Sequence, residues 1–595
     1  MSGEYPVVAA IDFGTHGSGF AWTVVSEDDR EASQRRILLQ DRWPGSEGLV
    51  YPKNLSALLL DQDGKTLAWG FDARREWREL GINGERDGHE YISAFKMALT
   101  PERYGGAAVP GLGTVNADSP RRARPLIVAY LREIHRLALD DIMKSGYQPE
   151  HVRWCLTVPA IWDDEQQDFM RKAAAEAGLP EDGDQLLLAI EPEAAALHCQ
   201  VHLAGVVGAE RKRLGVTAGS RFIVVDCGGG TVDITAHRAD AGPDGTVRLR
   251  GIATPLGGRL GSEYINRSFV TDVLTERLGA PTIALVRERA EHLLFDLVDQ
   301  WEAWKVAAQV DIDPASGAPR FKRRANFSLP SELYDMLDDE TKRRLAEYPG
   351  GGPHRIVVDA AEVARLFDEV IDEILPLVDK QLERIRLAGG PALGAEQLLL
   401  VGGMARSNYL RHRLALHLSD RAEVISPVDA AVAVLLGAVH FAYDPSVIRA
   451  RKARYTYGCE TYMPFEKDVD PDDKRVDTVR GLRCKDRFSV FVTRNEEVEV
   501  DRVVGHTFFP VTPDQSSIAF ALYRTRDDAP RYVDDPHCKR IGEVEIDISG
   551  SLRMPFEERS VLLCMRFGDT HMKIEAVDPA TQRTITTTVR FDSAY

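Results

Sequence analysis

Two aspartates stand where an apolar run gives way to a glycine turn. Asp12 follows Val7-Val8-Ala9-Ala10-Ile11 and opens Asp12-Phe13-Gly14-Thr15-His16-Gly17-Ser18-Gly19; Asp226 follows Arg221-Phe222-Ile223-Val224-Val225 and opens Asp226-Cys227-Gly228-Gly229-Gly230-Thr231. An apolar run returns after each turn, so each copy reads as strand, turn, strand. Glycine removes the Cβ that would keep a phosphate oxygen away from backbone N–H groups. A carboxylate beside the turn can hold water in the shell of Mg²⁺, which takes few direct protein ligands. Two facing turns of this kind would hold the β- and γ-phosphates of a nucleotide, with Asp12 and Asp226 on either side of the metal. Commoner phosphate motifs do not fit: there is no G-x-x-x-x-G-K-[ST], and neither turn is a G-x-G-x-x-G opening a helix. One such hairpin is ordinarily only a turn. The second copy, with the Gly402-Gly403 pair that ends Gln397-Leu398-Leu399-Leu400-Val401, makes the pattern specific.

The elements around these turns repeat as well. A copy separated by about 200 residues suggests a duplicated α/β lobe with a ligand between the halves. Between the copies, Val152 to Val158 is a buried strand ending at Pro159, and an amphipathic helix follows from about Asp164 to Ala177, stopped by Gly178. Leu186-Leu187-Leu188-Ala189-Ile190 then leads into Glu191-Pro192-Glu193, where proline just inside the start signals a helix. Helical spacing returns over Ala361 to Leu387 and again from about Asn408, giving the strand–helix alternation of an α/β sheet. Insertions fill about 40–115 and 262–345, the second with a helix over Thr282 to Gln309.

The pattern changes after Tyr443. From Tyr455 short β-type runs alternate with charged and proline-bearing turns, among them Phe488 to Val492, Ser517 to Tyr523, Val544 to Ile548, Val561 to Met565 and Thr584 to Val589. They predict an antiparallel sandwich. The expected organisation is a nucleotide-binding domain over 1–444, a linker over 445–455, and a β-rich domain over 456–595 that binds a substrate or partner without a helical lid.

Composition narrows the function. A net charge of −18 opposes a general nucleic-acid or anionic-membrane binder, both of which need a basic surface. The densest basic run, Arg449 to Arg454, reads as a solvated linker or a docking site. The longest uncharged apolar stretch, Ala430 to Tyr443, falls short of the roughly 20 residues of a membrane helix and reads as a buried helix. Seven scattered cysteines with no C-x-x-C pair indicate neither a disulfide framework nor a zinc site, and with no secretory signal at Met1 the expected location is cytoplasmic.

Five ordered blocks carry a resemblance to the nucleotide-binding domain of the 70-kilodalton heat-shock proteins, over about residues 5–444. They are IDFGT (11–15), TVPA (157–160), EPEAAAL (191–197), VDCGGGTVDI (225–234) and LLVGGMARSNYL (399–410), with LGSEYINRSF (260–269) also similar. The resemblance implies an actin-like two-lobe ATPase fold with the nucleotide between the lobes, ATP or ADP with Mg²⁺ and K⁺ as cofactors, and slow hydrolysis of ATP. It implies Asp12 and Asp226 around a hydrated Mg²⁺, and Gly14, Thr15, His16, Gly228, Gly229, Gly230 and Thr231 along the phosphates. Glu191 would lie near the metal and the attacking water, and Lys96, in Ala94-Phe95-Lys96-Met97, would face the γ-phosphate. Gly402, Gly403 and Arg406 would border the adenosine, and Glu302 and Lys305, in an E-x-x-K spacing, the ribose.

Several residues depart from that pattern. His16 stands where a second threonine is usual, either as a bystander or making phosphate affinity pH-dependent. Cys227 beside Asp226 is a packing residue or a redox sensor. Gln167 replaces an arginine of the interdomain switch, the short acidic-hydrophobic linker is missing, and no segment here would form the helical lid. Together with Ala453-Arg454-Tyr455-Thr456-Tyr457-Gly458, these departures resemble the divergent heat shock 70 kDa protein 12 branch. The implied function is a chaperone-like protein whose nucleotide state controls a β domain that binds polypeptide, with an exchange factor as a further partner. The alternative is a nucleotide-dependent scaffold or signalling adaptor with little hydrolysis. A small-molecule kinase using Asp163 or Asp164 as base, or an actin-like filament protein, would leave the β domain without a role.

Overall fold

A computed structural model describes residues 5–26, 32–100, 120–204, 218–242, 247–387, 396–500, 502–567 and 572–588. The first insertion beyond residue 100 and the end of the last expected strand, Val589, lie outside the described residues.

The molecule is a mixed α/β structure in which two sheets repeat one topology. In the first, β1 (Val7–Asp12) pairs antiparallel with β2 (Gly17–Val24) and parallel with β3 (Val152–Val158), which pairs parallel with β4 (Leu186–Ile190). In the second, β5 (Arg221–Cys227) pairs antiparallel with β6 (Val232–Ala241), which pairs antiparallel with β7 (Val247–Gly258); on its other side β5 runs parallel to β8 (Glu396–Val401), and β8 to β9 (Ala422–Ile425). Both hairpins therefore sit inside their sheets, and each glycine turn opens at the end of a central strand.

Central parallel strands are covered on both faces, so they read as unbroken apolar runs. In β1, Val7, Ala9 and Ile11 enter one core while Val8 and Ala10 enter another. In β5, Ile223 and Val225 face a third core, while Phe222 and Val224 join the one that holds Val8 and Ala10. That shared core is the layer between the sheets, filled by α2 (Glu191–Ala204) and α7 (Ala433–Tyr443). The two helices pack so closely that a Cβ on Gly437 would stand 1.7 Å from the carbonyl oxygen of Ala194, so glycine is required there. Flanking helices include α1 (Asp164–Glu176), α3 (Ser262–Ser268), α4 (His292–Ala307), α5 (Ala360–Leu387) and α6 (Asn408–Leu418).

After residue 455 two antiparallel sheets enclose a core of their own, including Tyr455, Phe491, Phe520, Val544, Val561 and Ile574. One has the order Arg475–Thr478, Gly481–Val492, Thr456–Pro464, Ser517–Thr525, Lys539–Asp547; the other Val503–Phe508, Val561–Arg566, Lys573–Asp578, Arg583–Thr588.

Three expectations need adjustment. The basic run is neither a solvated linker nor a free docking site: β10 (Ile448–Lys452) joins the second sheet beside β7, and Glu497–Glu499 pairs along its other edge. Ile448 and Ala450 are buried, and Arg451 bonds Glu193 on α2 at 2.8 Å. The helix over Thr282 to Gln309 is two helices, Ala280–Arg289 and α4, because Ala290 leaves helical geometry at φ −146°. The helix in the apolar stretch begins at Ala433 rather than Ala430, whose carbonyl accepts the Gly402 N–H at 2.9 Å. Among the described residues no helix is long and apolar enough to cross a membrane.

Candidate functional site

The cleft between the two repeated sheets is lined by every residue singled out for the nucleotide. Asp12, Gly14, Thr15 and His16 come from the first turn, Asp226, Gly228, Gly229, Gly230 and Thr231 from the second, and Gly402, Gly403 and Arg406 from the end of β8. Lys96, Glu191, Glu302 and Lys305 complete the wall. The cleft has a cavity volume of about 390 Å³, within the roughly 300–1,000 Å³ of small-molecule sites.

Local structure explains these placements. Asp12 is the last residue of β1, opposite Gly19, and Asp226 stands opposite Asp233 across the second hairpin. Glu191 opens α2 directly after β4, so the strand end delivers its carboxylate to the cleft. Lys96 lies in the one-turn helix Phe95–Leu99; its Nζ meets Glu191 Oε1 at 2.8 Å and lies 5.3 Å from the Trp162 ring centre. Glu302 and Lys305 project from one face of α4. Their 2.9 Å pair is tied to Asn266 of α3, whose Oδ1 accepts from Lys305 at 2.6 Å.

The glycines form a cradle that side chains would fill. A Cβ on Gly230 would stand 2.6 Å from Thr15 Oγ1 and 2.3 Å from Met97 Sδ, and one on Gly229 would stand 2.9 Å from the His16 Cβ. Gly402 has φ +91°, and a Cβ there would lie 2.4 Å from Asp226 Oδ1.

The electrostatics are those of carboxylates crowded in a buried place. Burial works to raise Asp12, but Lys53, in ion pair with Oδ2 at 2.7 Å, and Lys96 hold it below the ordinary value. Asp226 is pushed well above its ordinary value by burial and by Glu191, Asp233 and Asp12. Burial lifts Glu191 to about 7 against the pull of Lys96. Asp233 is raised by burial too, though its Oδ1 accepts the Ile161 N–H at 2.8 Å. Among the described residues these carboxylates, Asp12, Glu191, Asp226 and Asp233, have Lys53 and Lys96 in direct ion pairs with Asp12 and Glu191, and Arg454 acts on Asp233 from farther off. Excess negative charge of this kind, beside a glycine cradle, suits a hydrated divalent metal carrying phosphate.

Of the partners not singled out from the sequence, Lys53 had no motif to announce it, whereas Thr157 and Glu263 lay inside the TVPA and LGSEYINRSF blocks. Lys53 arrives because Asn54–Leu55 pairs with β2, and Thr157 donates to Asp12 Oδ1 at 2.8 Å from β3. Glu263 of α3 is bonded to His16 Nδ1. Burial opposes charge on that ring, but Glu263 outweighs it and lifts His16 to about 9, while Glu263 itself is held to about 2. The His16 side chain is 48% exposed, so solvent screens this pair. Cys227 is fully buried, and burial with Asp226 and Asp233 pushes its thiol well above the ordinary value, which makes it a packing residue rather than a redox sensor.

A second polar cluster joins α1 to the C-terminal sandwich. Arg524 Nη2 meets Glu165 Oε1 at 2.5 Å and Asp163 Oδ2 at 3.4 Å, and Nη1 meets Asp164 Oδ2 at 3.2 Å. Tyr457 donates to Asp164 at 2.7 Å, and Lys539 also reaches Glu165. Asp163 and Asp164 are therefore spoken for outside the cleft, which removes them as kinase bases. The sandwich also carries a groove lined by Tyr462, Met463, His506, Phe508, Phe509 and Pro510, with Tyr462 and Phe509 exposed.

No family model matches the chain. It is 29% identical over 659 aligned positions to heat shock 70 kDa protein 12B of Homo sapiens, covering 99% of this chain and 91% of that one. With heat shock 70 kDa protein 12A of Homo sapiens it shares 27% identity, over 99% and 92% of the two chains. The chaperone protein DnaK of Thermoplasma volcanium matches 48% of this chain and 38% of its own length at 26% identity. The chain is thus similar over nearly its whole length to the heat shock 70 kDa proteins 12A and 12B, and over about half of it to the chaperone protein DnaK.

Proposed function

We propose that the protein binds ATP with Mg²⁺ in the intersheet cleft, hydrolyses it slowly to ADP and phosphate, and uses its nucleotide state to control polypeptide binding by the C-terminal sandwich. The observation that carries this reading is the convergence of both glycine turns, Asp12, Asp226, Lys96 and Glu191 on one cleft. The homology supports a nucleotide-binding, chaperone-like role. In this reading residues 1–444 form an actin-like two-lobe nucleotide-binding domain, 445–455 the connection and 456–595 the polypeptide-binding domain.

Phosphoryl transfer depends on positioning and charge stabilisation more than on covalent chemistry. Bound Mg²⁺ would neutralise charge on the phosphates, with Asp12 and Asp226 holding its water shell. The turn N–H groups, Thr15 and Thr231 orient the phosphate chain. Lys96 swings from Glu191 toward the γ-phosphate, and Glu191, poised near 7, takes a proton from the attacking water. Gly402, Gly403 and Arg406 border the base, and Glu302 and Lys305 the ribose.

Coupling to the sandwich runs through Ile161-Trp162-Asp163. Ile161 bonds Asp233, the Trp162 ring lies beside Lys96 and its carbonyl accepts from Arg454, and Asp163 meets Arg524. The edge strand Val503–Phe508 beside the exposed groove offers a site for strand addition by an extended client. The second reading, a nucleotide-dependent scaffold with little hydrolysis, is favoured by the closed clamp on α1 and the uncharged Gln167. Single-turnover conversion of bound ATP with Mg²⁺ and K⁺ decides between them. Turnover by the wild type and none by Asp226→Asn supports the ATPase; ATP binding with no turnover in either overturns hydrolysis and leaves the scaffold.

A further inference from the structure

Helix α2 carries Glu191 into the cleft at its start, and two turns later it presents a different cluster. His198 and His202, four residues apart, lie on one face, and Asp429 reaches them from the segment between β9 and α7. One ligand atom of each lies within 4.8 Å of the other two. His198 Nε2 meets Asp429 Oδ2 at 2.7 Å, and the two imidazole rings are 4.2 Å apart at their centres.

Two features separate this cluster from a simple hydrogen-bonded pair. His198 is fully buried, yet its Nδ1 has no hydrogen-bond partner among the described residues, although buried imidazole nitrogens are ordinarily satisfied. His202 is exposed and Asp429 is one-third exposed, so a cation has an entry path and room for a water. His440, 6.4 Å from His198 between ring centres, is held by Arg35 and stands outside the set.

We propose that His198, His202 and Asp429 form a binding site for a Zn²⁺-class divalent ion, with water as fourth ligand. Two imidazoles and a carboxylate suit zinc rather than Mg²⁺, which prefers oxygen donors. With bonds near 2.0–2.1 Å, tetrahedral ligands sit roughly 3.3 Å apart, a spacing that small side-chain rotations reach from these positions. The ion would staple α2 to the segment whose Ala430 carbonyl holds the Gly402 N–H, at the edge of the cleft.

The test is titration of chelator-treated full-length protein with Co²⁺, followed by visible d–d absorption, then displacement by Zn²⁺. The expected result is one equivalent with nitrogen and oxygen ligation and no thiolate charge-transfer band. His202→Ala and Asp429→Asn should weaken binding by roughly tenfold or more, whereas His537→Ala, an exposed histidine of the sandwich, should leave it unchanged. His202→Ala alters an exposed position, so circular dichroism should confirm its fold. No stoichiometric binding by the wild type, equal affinity in both ligand variants, or thiolate ligation would overturn the proposal.

Discussion

Lys53 gives the most direct test of the cleft's electrostatics. Its Nζ pairs with Asp12 Oδ2 at 2.7 Å, with side chains 19% and 4% exposed. Lys53→Met leaves Asp12 buried beside Glu191 and Asp226 with only Lys96 as a nearby cation. Breaking a buried pair from one side costs about 3–5 kcal/mol, but protonation caps the penalty. Neutralising a carboxyl of ordinary pKa 3.8 at pH 7 costs about 4 kcal/mol, at about 1.4 kcal/mol per unit, and with Lys96 still near, a loss of about 2–4 kcal/mol is expected. The pH dependence follows from the shifts. In the wild type Asp12 is depressed, so its contribution is present above 3.8 and is lost as pH falls through the lower folded value. Lys53 is raised, so its contribution is present below 10.5 and is lost only at higher pH. The variant reverses the sign for Asp12: burial now raises its pKa, and the penalty grows with pH. Urea unfolding of nucleotide-free, chelator-treated protein should therefore show a larger deficit at pH 8 than at pH 5, with Lys53→Arg recovering most of it. A deficit below about 1 kcal/mol, or one equal at both pH values, would refute the reasoning.

Further outcomes follow from the cleft and from the α1 contact. His16 is protonated below about 9, so affinity for triphosphate should fall as pH rises through that value, while His16→Gln should show a flat profile there by equilibrium dialysis. The stability it shares with Glu263 is present below 6.5 and lost through about 9, and should disappear in the same variant. Gly402→Ala places a Cβ 2.4 Å from Asp226 Oδ1 at φ +91°, so ATP binding measured by calorimetry should drop by tenfold or more, about 1.4 kcal/mol. Arg524→Ala removes the guanidinium shared by Asp163, Asp164 and Glu165, leaving Tyr455 on Asp163 and Lys539 on Glu165, and should cost about 1–3 kcal/mol, read as faster hydrogen exchange over 161–167; Lys539→Ala, half exposed, should cost under about 1 kcal/mol.

The two phosphate turns were legible because their signal is local: an apolar strand, an aspartate, glycines and a return strand within twenty residues. Glu302 and Lys305 could be paired because three residues make about one helical turn, but Asn266, which binds both, comes from another helix, and although it lay in the LGSEYINRSF block nothing local tied it to them. Lys53 was hidden for the same reason, since only pairing of Asn54–Leu55 with β2 brings it to Asp12. The connection after Tyr443 was misread on charge. Its period of two was present in Ile448 and Ala450 against Arg449 and Arg451, and that alternation, rather than the count of basic residues, marks the strand β10.

That strand bears on how the sandwich communicates with the cleft. Ile448 packs in the core between the repeated sheets, while Ala453 and Tyr455 pack in the sandwich, so the apolar cores part company within a few residues. Beyond that point the contact described between α1 and the sandwich is polar: Arg524 and Lys539 against Asp163, Asp164 and Glu165, with Tyr455 and Tyr457 donating. Acidic residues at the start of a helix are stabilised by its dipole even when water replaces their partners, and Asp163 caps the Glu165 N–H on its own. The halves also meet where Glu497–Glu499 pairs with β10 and Val500 packs against the core between the repeated sheets, so the contact is polar at α1 and partly apolar beside β10. A neutral Gln167 fits the same arrangement, because the guanidinium is supplied from the sandwich side by Arg524. Arg524, Asp163 and Glu165 are 6%, 7% and 8% exposed, so added salt should weaken this part of the contact only slightly.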